Sequence, residues 1–273
     1  MGTLVSFHAH PDDESIATAG TMAKAAAAGH RVVLVVATRG EHGEPVPGVL
    51  GDDEQLGVRR TAETWASAEV LGADRVEFLG YVDSGMVGTA TSEQPWCFAR
   101  ADVDHAAARL AAILEEEEAD VLTTYDDNGG YGHPDHIQVH RVGRRAAERA
   151  GVDQVYESTI NRTHLVRSMA AAREAGAEMP EGLEPPDFEA EPDFGKPEEF
   201  ITHQVDVRPW MDQKRSAMLA HRSQMADDHF LLAMPPPMFE VGMGTEWYIA
   251  EGPPPPPGSL AAELFEPFRA PAG

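Results

Sequence analysis

One cysteine, Cys97, stands in 273 residues, so no disulfide can form within the chain and no thiolate cluster can hold a metal. Between Trp96 and Phe98 it reads as a small buried apolar residue. Long hydrophobic runs are also missing. The longest strongly apolar stretch, 32–37, is too short to span a bilayer, and no signal peptide precedes the first apolar run. Both point to a soluble, cytoplasmic protein with no membrane insertion. Positive charge is scarce: 21 Lys and Arg face 46 Asp and Glu, a net charge of −25. That disfavours nucleic acid and anionic membrane as partners, since both need a basic footprint. No Gly-x-Gly-x-x-Gly follows the first apolar run and no P-loop is present, which argues against a dinucleotide-dependent oxidoreductase and a phosphate-binding enzyme. No internal repeat is apparent. What remains is an ordinary globular balance, 42% hydrophobic and 25% charged, in a chain long enough to bury a substantial core.

The chain alternates short apolar runs with helical patterns. Residues 4–7, 31–38, 75–80, 121–125 and 152–158 read as strands, the first continuous in apolar character as a buried parallel strand is. Residues 15–28, 59–71, 102–118 and 134–150 read as helices, the last with proline in its first turn. Residues 40–53 and 82–95 read as loops. This order predicts a Rossmann-like α/β fold: a mostly parallel sheet with helices on both faces. Residues 1–160 would form the catalytic core. Residues 161–273 would be a smaller helical and irregular extension that packs on the core and contributes to the cleft rim, all within one structural domain. In it, helices are expected over 165–175 and 209–226 and a strand over 246–250. An acidic, proline-rich excursion is expected over 178–199, and Pro235–Pro237 and Pro253–Pro257 read as stiff punctuation.

Two clusters carry chemistry. His8-Ala9-His10-Pro11-Asp12-Asp13-Glu14 follows the first strand, and His133-Pro134-Asp135-His136 follows the fourth. In an open parallel sheet, ligands bind beyond the carboxyl ends of the strands, where both clusters fall. Catalytic zinc takes three protein ligands and leaves a position for water. His10 and Asp13 can chelate from one loop and His136 can complete the set, with Asp12 and Asp135 suited to base and orienting roles. Two rival readings stay open. His140, four residues after His136, is also at ligand spacing. Asp12, Asp13 and Glu14 could instead serve the positive end of the following helix, although that leaves the second cluster unexplained. His8 is expected to pack in the core. His30, His42, His105, His164, His203 and His229 lack supporting neighbours.

At these residues the sequence resembles the PIG-L/LmbE-like deacetylases, which include the de-N-acetylase of glycosylphosphatidylinositol synthesis and the mycothiol-pathway deacetylase and conjugate amidase. The resemblance also takes in Gly40-Glu41-His42-Gly43-Glu44, Arg59, Asp83-Ser84-Gly85-Met86, Tyr131-Gly132 and His221-Arg222-Ser223-Gln224. It implies His10, Asp13 and His136 as metal ligands, with Zn2+ as the cofactor and Fe2+ as the other candidate. It implies Asp12 as general base and His133 as general acid or electrostatic stabiliser, with Asp135 tuning His133. Tyr131 would polarise the carbonyl or hold the intermediate, and Glu44, Arg59 and Asp83 would contact the sugar. The implied partner is a small N-acyl amino-sugar conjugate. The implied reaction is hydrolysis of its N-acetyl amide to acetate and a free amine. Hydrolysis of a larger acyl conjugate and a non-catalytic metal- or sugar-binding protein remain alternatives. The oligomeric state is not legible.

Overall fold

The computed structural model describes residues 1–174, 194–252 and 259–265. In chain order the elements are β1 (Thr3–His8), α1 (Asp13–Ala17), α2 (Ala19–Ala27), β2 (Arg31–Val36), α3 (Leu56–Leu71), β3 (Arg75–Phe78), α4 (Val103–Glu116), β4 (Val121–Tyr125), α5 (Pro134–Ala150), β5 (Gln154–Thr159), α6 (Arg162–Glu174), β6 (His203–Asp206), α7 (Met211–Ala220), α8 (Phe230–Ala233), α9 (Pro236–Met243) and β7 (Thr245–Ala250). The strands form one sheet in the order β3-β2-β1-β4-β5-β7-β6. The five strands from β3 to β5 are parallel, and β7 and β6 add on antiparallel.

Successive side chains on a strand face opposite ways, and both faces here are covered. On one face Val5, Phe7, Val33, Val35 and Leu122 pack with Leu110 and Leu114 of α4 and Val139 and Val142 of α5. On the other, Leu4, Val32, Leu34 and Val76 pack with Met22 of α2, Ala68 and Leu71 of α3 and Ala217 of α7. This is why the central strands read as continuous apolar runs. The expected α/β architecture, a mostly parallel sheet with helices, is borne out.

The details differ where local pattern meets tertiary demand. The single helix expected over 15–28 is split at Thr18, whose hydroxyl lies 2.9 Å from His8 Nε2 and 3.1 Å from Ser6 Oγ. The helix expected over 209–226 stops at Ala220. Pro235–Pro237 do not merely punctuate: Pro236 and Pro237 open α9, where a missing N–H costs nothing. Strand β6, with alternating burial over four residues, was not legible. The acidic excursion expected over 178–199 falls for the most part outside the described residues, as do Pro253–Pro257. Among the described residues, no helix is long and apolar enough to cross a membrane.

Candidate metal centre and active site

Strands β1 and β4 lie side by side at the centre of the sheet, with β2 on the far side of β1 and β5 on the far side of β4. The chain direction of winding reverses there, and the crevice beyond the carboxyl ends of such strands is where open parallel sheets bind ligands. Residues 9–13 leave β1 and residues 126–136 leave β4, and the two loops meet. The ring centroids of His10 and His136 are 5.3 Å apart and those of His10 and His133 are 4.6 Å apart.

Asp13 stands between two imidazoles. Its Oδ2 is 3.5 Å from His10 Nδ1 and its Oδ1 is 3.4 Å from His136 Nε2. Ligands about 2.1 Å from a tetrahedral ion stand roughly 3.4 Å from one another, and each of these two contacts has that length, although they end on different Asp13 oxygens. The far nitrogen of each ring is tied. His10 Nε2 lies 3.1 Å from Asp135 Oδ2, and His136 Nδ1 lies 3.1 Å from the Gly129 carbonyl. With each ring's N–H directed at that contact, the nitrogen facing Asp13 would be free to bind a metal, the arrangement that metal-binding histidines need. Gly129, at φ +62°, permits the approach, since a Cβ there would lie 2.3 Å from His136 Cβ. Two groupings offer ligand atoms within 4.8 Å of one another: His10, His133 and His136, and His10, Asp83 and Asp135. Both groupings centre on His10 and neither includes Asp13, which meets His10 and His136 through separate oxygens; imidazole and carboxylate donors of this kind suit a divalent ion.

The carboxylates of the cluster favour an added proton on His10, where a cation would otherwise balance them. Burial works to lower the pKa of His10, but contacts with Asp13, Asp135 and Asp83 outweigh it and hold the ring well above its usual value. Burial works to raise Asp13, yet His136 and His10 hold it well below the carboxylate range. Asp12 behaves differently. Burial pushes it up to about 6, against the pull of Arg60, with Asp13 adding to the rise. A carboxylate poised there can take and return a proton near neutral pH.

The remaining residues fall into three groups. Asp135, fully buried, accepts from the Ser84 backbone N–H at 2.8 Å and from the Ser84 hydroxyl. Its carboxylate thus serves His10, and only its backbone N–H, at 3.1 Å from Nδ1, meets His133. The Asp135 charge still works to raise the pKa of His133, as expected, but other causes outweigh it. His133 caps the start of α5 through Nδ1, so its proton sits on Nε2. Burial, then His10 and His136, push it down to about 4, which makes the free protein's His133 neutral rather than cationic. Tyr131 is half exposed, with its hydroxyl 3.5 Å from His136 Nε2.

Asp83 reaches the site but is buried: Oδ1 is 3.4 Å from His10 Nε2, and Oδ2 accepts the His42 N–H at 3.0 Å. Glu44 is exposed on the loop after β2. Arg59 makes its contacts locally. Its guanidinium forks onto Glu54 with both bonds at 2.6 Å. The neighbouring Arg60 is the buried one. It bonds the Pro11 and Gly40 carbonyls and lies 3.3 Å from Asp12 Oδ1. The 3.6-residue helical period turns adjacent residues to different faces, so one position decides which arginine is turned inward. His140 bonds the Tyr125 carbonyl at 3.0 Å and lies 3.4 Å from Glu157, which occupies it outside the cluster. His8 is buried as expected, 2.7 Å from the Tyr125 hydroxyl, and Tyr125 stacks on His136. Sequence reading missed Arg60 and Tyr125, and named Ser84 only as part of a motif, without a role. Only the buried face of α3 could have pointed to Arg60, and nothing local marks Tyr125.

The chain matches the family model PIG-L, GlcNAc-PI de-N-acetylase, over residues 5–147. The 1D-myo-inositol 2-acetamido-2-deoxy-alpha-D-glucopyranoside deacetylase of Acidothermus cellulolyticus is 42% identical over 259 residues, covering 90% of this chain and 88% of that protein. The Salinispora arenicola protein of the same name is 39% identical over 292 residues, covering 99% and 92%. Among solved structures, the N,N'-diacetylchitobiose deacetylase of Pyrococcus horikoshii aligns with a TM-score of 0.53 at 23% identity, over 83% of this chain and 72% of that one. A 4-carboxy-2-hydroxymuconate hydratase of Pseudomonas putida aligns with a TM-score of 0.56 at 17% identity, over 93% and 97%. At such identities the structures show the fold alone, and a hydratase on it shows that the fold does not dictate the reaction. The family match and the sequence identities go further: the chain belongs to the PIG-L de-N-acetylase family, as the two histidine motifs led one to expect.

Proposed function

We propose that this protein is a metal-dependent hydrolase that removes the acetyl group from the 2-acetamido sugar of an inositol glycoside, releasing acetate and a free amine. The relatives' names supply the substrate class. The observation that carries the chemistry is the pair of imidazoles, each tied through its far nitrogen and facing Asp13 at 3.5 and 3.4 Å. His10, Asp13 and His136 would hold the ion. Two nitrogens and one carboxylate without a thiolate suit Zn2+, and also Fe2+. Bound there, such an ion lowers the pKa of a water towards about 7 and polarises the acetyl carbonyl.

The chain's own residues do the rest. Asp12 accepts the proton of the attacking water. Neutral His133 donates an Nε2 hydrogen bond to the developing oxyanion, and the Tyr131 hydroxyl, beside His136, offers another donor. As the C–N bond breaks, the leaving amine takes up the proton held on Asp12. Water and amide are thus consumed, and acetate and amine are produced. Arg60 holds the Asp12 loop, and the exposed Glu44 is the candidate contact for the sugar.

The test is amine release from 1D-myo-inositol 2-acetamido-2-deoxy-α-D-glucopyranoside by metal-loaded protein. N-acetylglucosamine and longer N-acyl analogues serve as comparators, and metal content is measured on the purified chain. Release from the inositol glycoside ahead of the comparators is expected. A protein that binds metal but frees no amine from any acetamido sugar would overturn the proposal.

A further inference from the structure

His221-Arg222-Ser223-Gln224, singled out in the sequence, takes no part in the steps above. It lies beyond residues 5–147, the span the family model matches. His221 closes α7 and is fully buried. Its Nε2 is 2.6 Å from Oε1 of Glu14, which is also fully buried. The Ser67 hydroxyl donates to the same oxygen at 2.5 Å. The other oxygen, Oε2, accepts the backbone N–H of Asp12 at 3.1 Å.

That N–H belongs to a residue under strain. Asp12 sits at φ +96°, in the left-handed region that L side chains rarely adopt. Such a conformation persists only when its surroundings over-determine it. Here they do. Glu14 holds the Asp12 N–H, and the Ser15 N–H and hydroxyl hold the Asp12 carbonyl at 3.0 and 2.7 Å. Arg60 holds the Pro11 carbonyl just before it. A buried ion pair is poor value as a stabiliser, because desolvation offsets the attraction. An apolar pair at 14 and 221 would fill the space as well. It could not accept the Asp12 N–H.

We infer that His221 is a positioning residue for the proposed reaction: by orienting the Glu14 carboxylate it holds the Asp12 backbone in the conformation that aims the base. The C-terminal part of the chain thereby completes a site whose reacting groups all lie in the first half. This rests on the deacetylase reading and adds to it.

The test compares His221→Met, which fills the volume without a donor, with His221→Gln, which keeps one. Ser223→Ala is the control. It removes a buried bond of the same segment, to Glu63 at 2.6 Å, that does not lead to Asp12. Turnover, KM, bound metal and melting temperature are measured for each. His221→Met should lower kcat on the order of 10²-fold, the scale of a displaced reacting group. KM should stay within about threefold, since ground-state binding is not addressed, and bound metal should be unchanged. His221→Gln should restore at least about tenfold of that loss. Ser223→Ala should melt earlier and keep its kcat.

If His221→Met does not fold, Glu14→Gln gives the same information. A carboxylate accepts on both oxygens and an amide on only one, so either Asp12 or the His221 side loses its acceptor. Its kcat should fall with metal retained. Wild-type kcat in folded His221→Met or in Glu14→Gln overturns the inference, as does a parallel loss of metal and turnover. An equal loss of kcat in Ser223→Ala overturns it too, because generic loosening would then explain everything. Inactive wild-type protein would instead count against the deacetylase reading itself.

Discussion

Two buried ionic clusters in this molecule obey the same electrostatics and come out oppositely. Around Glu246 the charges balance. Its carboxylate receives the Lys214 ammonium at 2.6 Å and the Gly20 and Thr21 backbone N–H groups, at the start of α2, at 2.9 and 2.8 Å. Both side chains are almost wholly buried, and a carboxylate at a helix start is well placed. Around His10 they do not balance. Asp13, Asp83 and Asp135 converge on His10 and His136, with His133 edge-on beside His10 and Asp12 paired with Arg60. A cluster whose acceptors are matched ties elements together. One with carboxylates in excess and lone pairs aimed at a common point calls for a cation.

The sharpest way to separate the two is to disturb each. Asp12→Asn should leave the fold and bound metal intact while lowering turnover by at least about 10²-fold, the scale of lost proton transfer. Turnover close to wild type would remove Asp12 from the base role. In the wild type, Asp12 must be ionised to accept a proton. With its pKa raised to about 6 by burial, kcat/KM should fall as pH drops through about 6. A pH–rate profile flat down to pH 5 would contradict that assignment.

Lys214→Met should do the reverse. It leaves a buried carboxylate unpaired and should cost about 3–5 kcal/mol of stability by denaturant unfolding, with kcat per folded molecule unchanged. A smaller effect is expected from Asp135→Asn. It loosens the hold on His10 and should weaken metal binding by about 10–100-fold, read by competition with a chelator. Unchanged affinity would show that His10 needs no such partner. The smallest effect belongs to Arg59→Ala, where kcat and KM should stay within about twofold because only a half-exposed surface pair with Glu54 is lost. A large rise in KM would return Arg59 to the substrate.

How far the sequence reaches can be seen from particular residues. The strand at 121–125 and the helix at 134–150 were legible to the residue, because an apolar run and a proline-led amphipathic pattern are local signals. The helix over 15–28 was misread because Thr18 follows a polar network with Ser6 and His8 rather than its own propensity. At the site, His10, Asp13 and His136 were nameable because tight His and Asp spacing after strands is unusual. Arg60 was not, since Arg59 is its equal in everything but the face it turns to. Nor could spacing alone show that Asp135 also bonds His10, 125 positions away.

The sequence alone therefore determined the α/β class, the family and the kind of chemistry, because these depend on residue type and short-range order, which the chain carries in plain view. Tertiary structure alone decided which arginine is buried, which carboxylate supports which imidazole, that His133 is held neutral and that His221 reaches Glu14. Those outcomes depend on burial and on contacts between distant segments, and both arise only when the strands bring their loops to one edge.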